Sequence, residues 1–410
     1  MDVVHRRCSG LDVHRDSVAA CVALSGDGGV RKEVRVFQTT TQGLLAMSDW
    51  LAGQGVTHVA MESTGVFWKP IFNILESRFE VLLVNAFHVK QVPGRKTDVK
   101  DCEWIADLLR HGLLKASFVP DRPQRELRDL TRHRAQLIGE QTRVANRVHK
   151  ILEDANIKLG SVASDVLGTS GREMIQALLA GDRSPAEMAD LARGRLRNKR
   201  EALTAALEGR VTEHHRFMLC MLWDHLLYIE KTIEMLDGRI EEMVRPFETE
   251  IRRLDGIPGV DRVAAQAMIA EIGTDMSRFA TAAHLASWAG LCPGNYESAG
   301  KRKSGRILKG NRWLKRSLCQ AAWGASRTKE TYVSALYRRI AKRRGKKRAV
   351  VALGHTILVS AYYILSRAVE YKELGGDYFD RLNPVRLRTY HVHRLKDLGY
   401  QVQLTQESPA

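Results

Sequence analysis

SGLDVHRDSVAACVALSGDGGVRKEVRVF, residues 9–37, decides how the first part of this chain folds. Ser9 to Val13 and Ser17 to Leu24 are short apolar runs joined by the turn His14-Arg15-Asp16, and Glu33 to Phe37 alternates apolar and polar side chains as a half-buried strand does. Three strands in a row predict a meander. Outward from it, Thr41 to Leu51 reads as a helix, Thr57 to Met61 as a strand, Phe67 to Leu75 as a helix, Glu80 to Val84 as a strand and Asp98 to Leu109 as a helix.

Beyond residue 122 the strand signals stop. Leu130, Leu137, Val144, Val148, Ile151 and Ala155 recur at heptad spacing, interrupted by Arg134 and Gln141. A second stripe, Leu219, Leu222, Leu226, Ile229, Ile233, Leu236, Ile240 and Met243, runs in register until Pro246 stops the helix. The two predict an antiparallel coiled coil, a dimerisation element, or two core helices of a bundle. Between them, Lys158 to Thr212 shows Ala-rich helical patterns with Gly breaks and receives no role. After Pro246, Ile257-Pro258-Gly259-Val260 before a small-residue helix reads as a helix-hairpin-helix element, in which Gly259 lets backbone N–H groups approach a phosphate, or as a plain structural turn.

The 410 residues carry a net charge of +17 with 44% hydrophobic and 27% charged residues, which is globular composition with a phosphate-seeking balance. The excess is local: Lys301 to Arg348 holds 18 Lys and Arg against the single acid Glu330. Lys301, Arg302, Lys303, Arg306, Lys309, Arg312, Lys315 and Arg316 are candidate phosphate contacts, with Trp313 among them to stack on an exposed base. The second cluster, Arg338 to Arg348, is mixed with Tyr337 and Gly345. Six cysteines lack CxxC or zinc-type spacing and read as reduced, small hydrophobes. With no apolar leader and no run taken to be long enough for a bilayer, the expected location is cytoplasmic and the expected partners exclude a membrane.

The order β-β-β-α-β-α-β-α is that of the RNase H-like fold, and its carboxylates fall where two-metal chemistry needs them. Asp12 ends the first strand and Glu62 the fourth, which are neighbours in such a sheet. Asp98 and Asp101, three residues apart, share one face of the last helix. Together the four suit a pair of divalent cations holding the attacking and leaving oxygens of a phosphodiester; acids in a first helical turn are also favoured by the helix dipole alone. Asp16, Glu103 and Asp107 read as solvated surface.

GLDVHRDS around Asp12, MESTG around Glu62, KTDVKD around Asp98 and Asp101, IPGV at Ile257 and WAGLCPGNYES ending at Ser298 resemble, in this order, the RuvC-like DEDD transposases of bacterial insertion sequences, the one-ten family with its bridge-RNA-guided recombinases. The resemblance spans nearly the whole chain. It implies a RuvC-like domain over residues 1–122, a coiled-coil or helical linker with an insertion over 123–249, a helical transposase domain over 250–375 and a tail over 376–410. It further implies that Asp12, Glu62, Asp98 and Asp101 bind Mg²⁺, or Mn²⁺, and that Ser298 is a nucleophile forming a 5′-phosphoserine. DNA, a noncoding guide RNA and a dimer or tetramer of the chain are the implied partners, at the nucleoid. Without the resemblance Ser298 is an ordinary loop serine, with Ser304 its nearest rival. Cys102 replaces the Ala that often follows the last aspartate, and both the Lys158 to Thr212 insertion and the tail beyond Tyr371 are long for the family. Two other readings are a hydrolytic nuclease of the Holliday-junction-resolvase type, which needs no serine, and a nucleic-acid-binding regulator without chemistry.

Overall fold

The computed structural model describes residues 2–26, 29–63, 65–85, 101–294, 296–305, 307 and 309–405, without the side chains of residues 296–298 and 302–304. The chain divides into two units, Met1–Pro120 and Asp121–Ala410.

Unit 1 begins with the meander β1 (Arg7–Val13), β2 (Ser17–Gly26) and β3 (Gly29–Gln38), followed by α1 (Thr41–Gly53), β4 (His58–Glu62), α2 (Trp68–Leu75), β5 (Glu80–Val84) and α3 (Asp101–Arg110). The five strands form one mixed sheet in the order β3-β2-β1-β4-β5. The pairs β1/β2 and β2/β3 are antiparallel, whereas β1/β4 and β4/β5 are parallel. The third strand starts four residues earlier than its alternation suggests. Residues 31–35 are mostly charged and belong to an edge strand, where no core imposes an apolar face and charge discourages edge-to-edge pairing.

Alternation along β1 separates two cores. Leu11 and Val13 join Val59, Met61, Leu44, Met47, Ile71 and Leu75 between the sheet and α1–α2. Cys8, Cys21 and Ala60 face the other way, against Cys102, Ile105, Ala106 and Leu109 of α3. Each fully buried Leu, Ile or Met contributes roughly 1.5–3 kcal/mol. Contact between α3 and β1 is unusually close: a Cβ on Gly10 would lie 2.2 Å from the Cys102 carbonyl oxygen and 2.3 Å from the Ala106 nitrogen. At the other end of this helix, the Arg110 carbonyl accepts from Val4 N–H at 2.9 Å. The helix therefore runs antiparallel to β1, with its N-terminus at the carboxyl end of the strand.

Unit 2 opens with α4 (Arg122–Asp154), four short helices α5 (Leu159–Val162), α6 (Thr169–Ala180), α7 (Pro185–Ala189) and α8 (Arg200–Leu207), and then α9 (Glu213–Val244). Arg134 with Asp237, Gln141 with Glu230 and Asp154 with His215 bond in reverse order along the two long helices, so α4 and α9 are antiparallel. The two stripes thus pair within one helical core. The pair shares a core with the insertion, whose Met174, Ile175, Met188 and Leu203 pack against Val144, Val148, Leu219 and Leu226. Those extra helices turn the buried face: Leu152 and Trp223 are enclosed, while Ile151 and Leu222, expected on the seam, are partly buried.

The remainder is helical apart from one hairpin: α10 (Glu248–Asp255), α11 (Arg262–Ile272), α12 (Ala282–Trp288), β6 (Tyr296–Ser298), β7 (Lys301–Ser304), α13 (Arg312–Ala325), α14 (Tyr332–Arg344), α15 (Lys346–Arg367), α16 (Tyr378–Leu382) and α17 (Pro384–Asp397). One expectation fails here. By length and composition α15 is apolar enough to cross a membrane, because residues 349–366 carry no Asp, Glu, Lys or Arg. Its Leu353, Gly354, Ile357, Leu358 and Ala361 are buried inside unit 2, as in a core helix.

Gly10→Val should destabilise unit 1 by roughly 1–3 kcal/mol or more, because the added carbons meet helix backbone that cannot rotate away. Urea denaturation followed by circular dichroism reads this, and a variant as stable as the wild type would show that α3 does not rest on β1.

Candidate active site and nucleic-acid interface

Leu11 of β1 is in register with Met61 of β4 across the parallel pair. The next residues, Asp12 one before the end of β1 and Glu62 at the end of β4, therefore stand side by side, about 4.8 Å apart along the hydrogen-bonding direction. Both lie on the face that carries Cys8, Gly10 and Ala60, the face covered by α3. Asp101 opens α3 at the same end of the sheet. At the next residue, burial first and then the negative charge of Asp12 push the Cys102 thiol up.

Asp12 is half-buried, with its Oδ2 3.1 Å from His14 Nε2, while Glu62 forms no hydrogen bond or ion pair among the described residues. Asp98 lies outside the described residues. The rival acids have other occupations. Asp107, expected on the solvated surface, is instead half-buried between Lys32 at 2.6 Å and Arg110 at 3.5 Å. Asp16 is exposed in the turn after β1, and Glu103 is partly buried.

Among the described residues no three His, Cys, Asp or Glu side chains are grouped tightly enough to hold a metal ion. The donor chemistry nevertheless fits a hard divalent cation. Asp12 and Glu62 offer carboxylate oxygens on adjacent strands, with no Lys or Arg paired to either among the described ion pairs, and oxygen donors of this kind suit Mg²⁺ or Mn²⁺.

In unit 2, Ser298 is the last residue of β6 and pairs with Lys301 of β7. This corrects the loop reading. Ala299 (φ 51°) and Gly300 (φ 71°) form the two-residue connection, the left-handed pair of a type I′ hairpin turn. Ala299 pays for its Cβ there at roughly 1–2 kcal/mol. An alanine in this position hides the hairpin from a reader who looks for Asn-Gly or Asp-Gly. Ser304 ends β7, at the base of the same hairpin.

Lys301, Lys309, Arg312 and Arg316 are exposed around and after this hairpin. Arg302 and Lys303 belong to β7, and Arg306 lies outside the described residues. Arg312 stands 4.6 Å over the Trp313 ring. Lys315 donates to the Lys309 carbonyl at 2.9 Å and Arg316 to the Ala135 carbonyl at 3.1 Å. Gly259 (φ 86°) occupies the turn between α10 and α11, where a Cβ would lie 2.4 Å from both Ala321 O and Ala325 N of α13. Close helix packing is thus enough to require glycine there, without any phosphate.

The residue that sequence reading missed is Glu271, 2% exposed near the end of α11. Arg132 grips it bidentately at 2.7 and 2.8 Å, and Asn311 donates to it at 2.6 Å while capping α13 through Trp313 and Leu314 N–H. Arg128 and Gln124 of α4 donate to the last carbonyls of α11, at Ala270, Glu271 and Ile269, the last of which also accepts from Gly273 N–H at 2.8 Å. Burial pulls the Arg128 guanidinium down to about 10, against the opposing pull of Glu271. One carboxylate thus joins α4, α11 and the start of the basic helix. The available signal was an acid alone in the apolar run Ala-Met-Ile-Ala-Glu-Ile, with Arg128 and Arg132 one helical turn apart on α4.

Comparison with known proteins adds two family profiles. One described as a transposase matches residues 9–157, and one described as the transposase IS116/IS110/IS902 family matches residues 251–338. The insertion element IS116 uncharacterized 44.8 kDa protein of Streptomyces clavuligerus is 28% identical over 58% of this chain and 65% of its own length. The insertion element IS110 uncharacterized 43.6 kDa protein of Streptomyces coelicolor is 29% identical over 58% of this chain and 64% of its own. The chain thus spans a little under two thirds of the length of these relatives.

Glu271→Ala should cost roughly 3–5 kcal/mol, since it leaves Arg128 buried without its counter-charge. A loss under 1 kcal/mol in urea denaturation would mean that the network carries no structural weight.

Proposed function

We propose that the chain, which is similar to IS116/IS110/IS902-family transposases over residues 9–157 and 251–338, cuts and rejoins DNA at the ends of an insertion element, with unit 1 as a RuvC-like carboxylate domain. One observation carries this reading: Asp12 and Glu62 stand side by side near the carboxyl ends of adjacent parallel strands, on the face where Asp101 begins α3. A bound Mg²⁺, or Mn²⁺, would supply charge neutralisation at the scissile phosphate. Asp12, Glu62 and Asp101, with Asp98, are the residues to hold it.

Ser298 is the proposed nucleophile. Its Oγ forms a bond to phosphorus as the P–O3′ bond breaks; the serine proton is lost and the leaving 3′-oxygen is protonated. The resulting 5′-phosphoserine keeps the phosphate in ester linkage, so a free 3′-hydroxyl can reverse the step without net hydrolysis. The place of Ser298 beside the hairpin turn, paired with the exposed Lys301, supports this role, because a cation there can meet the phosphate that the serine attacks. In the same reading, the helix-hairpin-helix formed by α10, Gly259 and α11 and the basic residues from Lys301 to Arg316 contact phosphates.

Target choice by a noncoding guide RNA and assembly as a dimer or tetramer complete the proposal. Self-association is supported by a second apolar stripe on α9: Phe217, Met221, Tyr228 and Met235 follow heptad spacing and are 59–68% exposed.

Two experiments test the division of labour. Asp101→Ala should lower Mg²⁺-dependent strand cleavage by roughly 10²-fold or more while DNA binding stays near wild type; cleavage at the wild-type rate would remove Asp101 from the site. Reversing the charges of Arg312 and Lys315 should weaken binding and reduce the slope of log affinity against log salt by about two. An unchanged slope would place the phosphate contacts elsewhere.

A further inference from the structure

Within unit 2 a cavity of about 410 Å³ opens between the middle of α4, the α11 helix and α13, a size in the range of small-ligand pockets. The carboxylate chemistry of unit 1 does not use it. Its chemistry is divided between wall and rim. Trp313 lines one side, half-buried, with the Arg312 guanidinium over its ring. Ser317 and Gln320 add neutral donors and acceptors, Gln266 has its amide nitrogen committed to Glu241 at 2.8 Å, and Val263 and Ala264 add apolar surface.

The cations in the wall are committed. Arg132 holds Glu271, Arg134 holds Asp237, and Arg316 donates to a backbone carbonyl. Among the described lining residues every arginine has a partner, whereas Lys309 and Arg312 are exposed on the same segment as Trp313. A neutral, planar, hydrogen-bonding group inside with its anionic linkage outside satisfies both regions. That is the chemistry of a nucleotide whose base has left its stack.

We propose that this cavity receives one unpaired nucleobase of a strand whose phosphates follow the basic surface of α13, with Trp313 as its stacking platform. The inference rests on the reading that unit 2 binds nucleic acid. It adds a base-accepting site to the phosphate contacts.

The test uses the full chain and fluorescence anisotropy with dT15, U15 and a 15-unit deoxyribose-phosphate strand that carries no bases, each over a salt series. The wild type should bind dT15 or U15 at least about tenfold more tightly than the baseless strand, with equal salt slopes, because stacking does not depend on counterions. The thymidine and uridine arms tell whether DNA or RNA supplies the base. Ala264→Phe, which fills the cavity, and Trp313→Ala, which removes the platform, should each erase most of that tenfold margin and leave the slope unchanged. Equal affinity of the wild type for strands with and without bases would overturn the proposal whatever the variants do. So would an Ala264→Phe protein that keeps the full margin. Steep salt dependence in either case would leave the nucleic-acid reading standing, whereas a wild type that binds none of the three strands would overturn both.

Discussion

The contact on which unit 1 depends is backbone against backbone, where α3 lies directly on β1 at Gly10. No side chain separates the Cys102 carbonyl and the Ala106 nitrogen from the strand. That closeness fixes the height of the helix above the sheet, and the antiparallel direction fixes which end meets Asp12. A carboxylate at the first position of α3 is therefore delivered to the carboxyl ends of β1 and β4, where Asp12 and Glu62 already stand in neighbouring register. The site follows from one small residue and one helix direction.

Unit 2 is organised by a different device. Glu271 is a buried anion, and desolvating it would be costly without Arg132 and Asn311 at hydrogen-bond distance. Because its partners come from α4 and from the cap of α13, the carboxylate ties the long helical pair to the segment that presents Trp313 and the basic residues. The same network neutralises an arginine in the wall of the cavity, which is why that space suits an uncharged planar group better than a phosphate. Stability and ligand chemistry are set here by the same ion pair.

Much of unit 1 was legible in the sequence because its strands are half-buried and its helices amphipathic, so periodicity and burial agree. Agreement ended at β3, whose charged edge gives no apolar alternation, and at Ser298, whose hairpin turns on Ala299 rather than on a residue with low cost at positive φ. Asp12, Glu62 and Asp101 were proposed from their places near element ends, and the structure puts the three at one end of the sheet. Glu271 was not, since a local pattern cannot report that an acid on α11 meets an arginine 139 residues away. Gly259 was read as a glycine that lets a phosphate approach or as a structural turn, and the observed neighbour is helix α13.

In the function proposed for this chain, DNA is broken by covalent attachment through Ser298 and the carboxylates of unit 1 hold the metal. The most direct test is to incubate the protein with Mg²⁺, element-end DNA and the flanking transcripts and to search for a denaturation-resistant protein–DNA adduct, for wild type and Ser298→Ala. An adduct present in the wild type and absent in the variant is the predicted result. Cleavage without any adduct, unchanged by the substitution, would contradict the account and make the protein a hydrolytic nuclease.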